Sequence, residues 1–217
     1  MDRNLFLTED GSHSLKVNKL DETYHSKFGA IRESTHIFIT NALLQCSKKH
    51  IRILEMGFGT GLNAFLSLLT AREKKVEIEY CSIEKYPLLS HEYTLLNFPD
   101  VLGESRELFL KLHESEWDSQ NCITPGFKLK KIKADCRDIS LESGFDLVFY
   151  DAFAPDIQPG LWEYDLLLRF YNALNTSGIF VTYSAKGEVR RSLIACGFTV
   201  ERLKGPPGKR EMIRAIK

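Results

Sequence analysis

The chain has 217 residues, 43% hydrophobic and 27% charged, with a formal net charge of zero. That composition supports one α/β domain with a small extension and argues against a disordered chain. Neutrality argues against a strongly basic nucleic-acid binder, five cysteines without a C-x-x-C pair against a zinc site or disulfide framework, and the lack of an apolar run of about 18 residues against a membrane span.

In chain order, residues 1–30 are mixed and polar and read as short strands or a loop laid over the domain. No apolar leader follows Met1, so a cytoplasmic location is expected. Glu33 to Leu44 reads as a helix with Ile37, Ala42, Leu43 and Leu44 as core positions. Ile51 to Glu55 is a short apolar strand ending in an acid. The glycine-rich turn Gly57-Phe58-Gly59-Thr60-Gly61 follows, then a helix from Leu62 to Thr70. Val76 to Ile83 is the second strand, ending at Glu84. Pro87 to Phe98 and Val101 to Glu114 read as helices, with Pro87 in the first turn, and Trp117 to Gly126 as loop. Phe127 to Ala134 is a strand ending at Asp135, and Phe145 to Tyr150 one ending at Asp151. A helix from Leu161 to Leu174, a strand from Ile179 to Tyr183 and a helix from Glu188 to Cys196 come next. Phe198 to Arg202 and Met212 to Ile216 close the chain as an antiparallel pair. The expected architecture is α/β and Rossmann-like: a mostly parallel seven-stranded sheet, helices on both faces, an antiparallel last strand. Residues 1–45 would be an N-terminal cap over the cofactor site and 46–217 the main domain, with a helical insertion at about 99–126.

Ligands of such sheets bind beyond the carboxyl ends of the strands, where Glu55, Glu84, Asp135 and Asp151 all fall. The loop reads E-x-G-x-G-x-G, not the G-x-G-x-x-G that cradles a pyrophosphate. An acid just before the loop suits a cofactor with an amino group and no phosphate. S-adenosylmethionine (SAM) carries an ammonium and a sulfonium. Glu84 is placed to accept from two ribose hydroxyls and Asp135 from an adenine amino group. His25, His36, His91 and His113 lack metal-ligand spacing, so packed or surface roles and no metal are expected. Trp117 and Trp162 read as packing residues.

With these pieces in hand, the sequence resembles the methyltransferase domain of the MnmC family, which forms 5-methylaminomethyl-2-thiouridine in tRNA. The resemblance is carried by Glu55-Met56-Gly57-Phe58-Gly59-Thr60-Gly61-Leu62-Asn63, Glu84-Lys85-Tyr86-Pro87-Leu88, Asp151-Ala152-Phe153-Ala154-Pro155 with Trp162 after it, Val189-Arg190-Arg191, and Gly208-Lys209-Arg210-Glu211-Met212. Tyr24, Ser26, Glu33 and Ser34 are similar to the family's entry segment. The resemblance implies methyl transfer from SAM to the aminomethyl group of a modified wobble uridine in tRNA. Phe58, Thr60, Asn63, Lys85 and Glu33 would join the acids and glycines around the cofactor. Bifunctional members add an FAD-dependent oxidase domain, for which no second glycine-rich signature is present, so only the methyl-transfer step is expected here.

Only a neutral amine can attack the sulfonium methyl. Asp151 is therefore the expected residue to position the amine and receive its proton, with Phe153 and Pro155 as walls. Tyr24 and Tyr183 are further contact candidates. The tail from Lys186 is basic, opposite an acidic stretch from Glu84 to Gln120. Arg190, Arg191, Lys204, Lys209 and Arg210 are thus expected on tRNA phosphates. The alternatives are an aminopropyl transferase of the polyamine-synthase kind, a methyltransferase for another small or protein amine, and a non-catalytic RNA-binding module.

Overall fold

The computed structural model describes residues 2–217. A three-stranded antiparallel sheet opens the chain: β1 (Arg3–Leu7), β2 (His13–Val17) and β3 (Glu22–Thr23). The helix α1 (Ala30–Ser34) widens directly into a π-helical stretch, Thr35–Thr40. Ile37, Ala42 and Leu43 are buried as expected, but Leu44 is exposed, because a separate short turn, Leu43–Gln45, rotates it outward.

The second sheet has eight strands in the order β10-β11-β9-β8-β4-β5-β7-β6. These are β4 (His50–Met56), β5 (Glu77–Glu84), β6 (Gln120–Thr124), β7 (Phe127–Lys133), β8 (Phe145–Tyr150), β9 (Leu174–Thr182), β10 (Thr199–Lys204) and β11 (Glu211–Ile216). Strands β7, β5, β4, β8 and β9 run parallel, and β11 is antiparallel to both neighbours. The expected seven strands are all present. The eighth, β6, occupies a segment expected as loop. It hairpins onto β7 through Pro125-Gly126 and buries only Ile123, so its polar residues gave no strand pattern.

Helices α2 (Leu62–Lys74) and α5 (Arg106–Glu114) belong to one face, with the π-helical stretch; α6 (Tyr164–Ala173) and α7 (Gly187–Cys196) belong to the other. Strand β8 is buried throughout, as a parallel strand covered on both sides must be. Its alternation sends Phe149 into the core with Phe38 and Phe65, and Tyr150 into the core with Phe170 and Phe180. Asp146 within it is satisfied by Lys48 Nζ at 2.6 Å, the Arg52 amide at 3.0 Å and Asn175 Nδ2 at 2.8 Å.

The region between β5 and β6 departs most from expectation. Instead of two long helices it holds α3 (Ser90–Tyr93), α4 (Phe98–Leu102) and α5. The N-terminal sheet reshapes it. Arg3 grips both Glu92 carboxylate oxygens at 3.0 and 2.9 Å, and Asn97 accepts from the His13 amide at 2.6 Å and donates to the Gly11 carbonyl at 2.9 Å. Ser105 then caps α5 by accepting from the Leu108 amide.

Candidate active site

Strand β4 lies between β5 and β8, so the chain order reverses there and a crevice opens at the carboxyl ends of the strands. A cavity of about 610 Å³ fills it. Its floor is the turn between β4 and α2. Gly57 bonds to the Ile83 carbonyl at 2.9 Å, and the Asp151 amide to the Met56 carbonyl at 3.0 Å. With φ at +92°, Gly57 approaches the next strand so closely that a Cβ would stand 3.0 Å from the Asp151 carbonyl oxygen. Only glycine fits both demands.

One half of the cavity is lined by Gly57, Phe58, Gly59, Thr60, Ile83, Glu84, Lys85 and Asp135. Glu84 accepts from the Gly59 amide at 3.0 Å and the Tyr86 amide at 2.7 Å, which ties the turn to the end of β5. Asp135 is gripped by Arg137 through Nε at 3.0 Å and Nη2 at 2.6 Å, and by Lys85 Nζ at 2.9 Å. The Arg137 guanidinium, with Lys85 second, holds this carboxyl well below the usual carboxylate range.

The other half collects residues distant in sequence. Tyr24, Glu33, Asn63, Asp151, Phe153, Tyr183 and Lys209 all line it. Asn63 Nδ2 donates to Asp151 Oδ2 at 2.9 Å, while burial pushes the Asp151 carboxyl up to about 7. The Tyr24 and Phe153 rings meet edge to face at 5.3 Å. Trp162, buried as expected, donates from Nε1 to the Phe153 carbonyl at 2.8 Å, and the Tyr183 hydroxyl donates to the Ala152 carbonyl at 2.8 Å. These bonds fix the loop after β8. Glu33 accepts from the Ser26 amide at 2.7 Å and from Lys209 Nζ at 2.6 Å.

Several expected site residues stand elsewhere. Glu55 is 1% exposed beneath the glycine turn and outside the cavity lining, bonded by the Ser82 hydroxyl at 2.6 Å. Burial pushes its carboxyl up to about 8, which favours the neutral acid and corrects the expectation of an anion facing the cofactor. Gly61 and Pro155 also lie outside the lining. Gly61 is turned toward Phe58 and His113, and Pro155, within the loop after β8, is buried. Lys209 points inward onto Glu33 and the Tyr183 ring, so a free phosphate contact is corrected to a cavity ion pair. Arg190, Arg191, Lys204 and Arg210 are exposed and outside the cavity.

Beneath the glycine turn lies a supporting layer in which His25, His113 and Trp117 take packed roles, as expected, around Lys131, which no motif singled out. His113 donates from Nε2 to the Thr60 carbonyl at 3.1 Å and stacks on Tyr93 at 4.4 Å. Lys131 is fully buried, donates to the His113 carbonyl at 2.6 Å and sits over the Trp117 ring at 4.6 Å. Burial pushes this lysine down to about 8. His25 bridges Ser14 at 3.0 Å and Thr60 at 3.4 Å, joining the N-terminal sheet to the glycine turn. None of these carries a motif. Arg137, two residues after Asp135, is missed for the same reason.

The lining fits SAM by its donor set: strand-end carboxylates for hydroxyl and amino groups, a turn a Cβ would obstruct, and aromatic walls. Comparison with known proteins agrees. The profile of an S-adenosyl-L-methionine-dependent methyltransferase family matches residues 115–217. The crystal structure of MNMC2 from Aquifex aeolicus superposes with a TM-score of 0.82 at 30% identity, over 99% of this chain and 69% of that one. The chain belongs to the MnmC2 family. A bifunctional MnmC protein of Aromatoleum aromaticum, named for tRNA 5-methylaminomethyl-2-thiouridine biosynthesis, is 30% identical over 97% of this chain. The chain spans 34% of that protein's length and 58% of another curated relative's. Spermidine synthase from Thermotoga maritima, with a TM-score of 0.60 at 11% identity, covering 99% of this chain and 68% of that one, shares the fold alone. Membership of the MnmC2 family bears out the expected Rossmann-like fold and the enzyme class, a SAM-dependent methyltransferase.

Proposed function

We propose that the chain methylates the aminomethyl group of a 5-aminomethyl uridine, with or without a 2-thio group, at the tRNA wobble position, with SAM as donor. The observation that carries this reading is the joined cavity. A glycine-turn half with paired strand-end acids opens into an aromatic half that holds the Asp151 carboxylate, half-buried, beside the buried Glu33, in a chain of the MnmC2 family. Glu84 and Asp135 would hold ribose and adenine, with Phe58, Gly59 and Thr60 against the rest of the cofactor. SAM supplies an electrophilic methyl group on a sulfonium.

The acceptor is an alkyl amine with an intrinsic pKa of about 10, by analogy with lysine. It arrives protonated and lacks the lone pair that attack requires. Asp151 takes that proton. Its raised pKa makes it a stronger base at neutral pH than an ordinary carboxylate. Asn63 fixes one oxygen, so the carboxylate is aimed before substrate arrives. Tyr24, Phe153 and Tyr183 wall the amine, exclude water and align it with the methyl. The N-terminal segment serves as a cap, since Tyr24, His25, Ser26 and Glu33 close one side of the cavity. Arg190, Arg191, Lys204 and Arg210, all exposed, hold tRNA phosphates. The aminopropyl-transfer alternative has only a shared fold behind it.

The test is methyl transfer from labelled SAM to tRNA bearing 5-aminomethyl wobble uridine, read by nucleoside mass analysis. One added methyl only on the modified tRNA is expected. Equal transfer to unmodified tRNA, or none to either, overturns the substrate assignment.

A further inference from the structure

Lys209 lies in the loop between β10 and β11, and the chain invests heavily in its position. Pro206 and Pro207 stiffen the loop, and the Lys209 amide closes a turn on the Pro206 carbonyl at 2.9 Å. Gly208, with φ at +83°, is pressed onto the Phe28 ring so tightly that any Cβ would overlap it. The loop is thereby fitted to the N-terminal segment. From it the lysine reaches back into the cavity. Its Nζ stands 2.6 Å from Glu33 Oε1 and 3.9 Å from the centre of the Tyr183 ring, with the side chain about one-third exposed at 32%. Tyr183 is itself bonded to the residue after Asp151. An ion pair that only joined two segments could sit on the surface. This one forms the wall of the acceptor half.

We propose that Lys209 sets the protonation of the acceptor amine: its ammonium, fixed by Glu33 and the Tyr183 ring, is a like charge near the amine that disfavours the protonated, non-nucleophilic form. The proposal rests on the amine-methylation reading above. Lys209 touches Glu33 from α1 and the Tyr183 ring from the end of β9, and it shares the cavity wall with Asp151 from the end of β8 and with Glu22, Tyr24 and His25 from the N-terminal segment. Burial keeps both tyrosines neutral and pushes His25 down to about 4, so it too is neutral. The carboxylates of Glu33, Asp151 and Glu22 stand near the amine against the SAM sulfonium, the Arg3 guanidinium over the Tyr24 ring at 5.8 Å and the ammonium of Lys209. Removing the lysine leaves the carboxylates less compensated, favours the amine as an ammonium and takes away its lone pair. Removing Glu33 leaves the lysine uncompensated and does the reverse. The same pair acts on Asp151, whose carboxyl burial pushes up: Glu33 favours its protonated form and Lys209 its ionised form.

The experiment is the pH dependence of kcat at saturating SAM and aminomethyl tRNA, which reports groups in the bound complex. Wild type is compared with Lys209→Met, Lys209→Arg and Glu33→Gln, and SAM affinity is measured by calorimetry for each. The rising limb should move up by about one pH unit in Lys209→Met and down by a similar amount in Glu33→Gln. Lys209→Arg keeps the charge and should leave the limb in place. Below the limb Lys209→Met should be about tenfold slower, and it should recover at high pH. Limbs that stay put, or move the same way in both variants, overturn the proposal. So does a Lys209→Met enzyme that binds SAM about tenfold more weakly at every pH with its limb unmoved, because the lysine would then serve the cofactor's carboxylate. A wild type that methylates no aminomethyl tRNA fails the substrate reading and takes this proposal with it; a methylating wild type with unmoved limbs removes the proposal alone.

Discussion

The two halves of the cleft are built by different means. The half lined by Gly57, Glu84 and Asp135 is assembled from neighbouring strand ends, and its acids are already paired with backbone amides or with Lys85 and Arg137. The half lined by Glu33, Asp151 and Lys209 joins chain segments as far as 176 residues apart, and it leaves the half-buried Asp151 with a single side-chain partner, Asn63, among the described residues. On the proposed function, the first half holds the cofactor and the second moves a proton. The proposed binding residues then come from local motifs, and the proposed reactive group from the tertiary assembly.

The sharpest way to break this comparison is Asp151→Asn. If the halves divide binding from chemistry, turnover should fall by roughly 10²- to 10⁴-fold, while SAM affinity by calorimetry stays within about threefold. A large loss of SAM binding would merge the two halves into one. Next in size is Gly57→Ala. A side chain at φ +92° facing the Asp151 carbonyl at 3.0 Å costs about 1–2 kcal/mol or more. SAM should bind at least about tenfold more weakly, with the thermal midpoint also lowered; unchanged affinity would show that the turn does not approach the cofactor. Replacing Arg190 and Arg191 by alanine should weaken tRNA binding, reduce the slope of log affinity against log salt by about two, and leave SAM binding alone. An unchanged slope would place the phosphates on another surface.

The same division explains what could be read in the sequence. The glycine turn is spelled out within one strand–turn–helix unit and each acid at the end of its own strand, and periodicity found the five parallel strands and the last antiparallel pair. Lys209 misled because it sits in a basic run, and nothing local says that Gly208 seats on Phe28 and turns the lysine inward. Glu55 misled in the opposite direction. It ends β4 as the other acids end their strands, yet it lies below the turn, where Ser82 receives it. The helix expected from Pro87 to Phe98 was lost to bonds of Glu92 and Asn97, whose partners, Arg3 and Gly11, come from the N-terminal sheet and its first turn, more than 80 residues away in sequence. Strand β6 did leave a local mark, the Pro125-Gly126 turn, but its polar residues concealed it.

The smallest effects separate the layer beneath the glycine turn from the cleft above it. Burial pushes His25 down to about 4 and His113 down to about 3. Both take up protons near pH 6.5 once unfolded, so the unfolded chain binds more protons below that pH and stability should fall as pH drops from 6.5 toward 4. Glu55 works the other way. Its carboxyl is raised to about 8, so the folded chain holds a proton the unfolded chain has lost, and stability should fall as pH rises from about 4.5 to 8. Asp151, raised to about 7, adds to the same slope. Glu55→Gln keeps an acceptor for Ser82 and removes one of the two alkaline contributions. Its thermal midpoint relative to wild type should therefore climb by a few degrees between pH 5.5 and 8, leaving a residual slope from Asp151. A constant difference across that range would mean that Glu55 is ionised in the folded protein. It would then be a counter-charge to the cofactor acting through the turn, and the layer beneath the cleft would belong to the binding half after all.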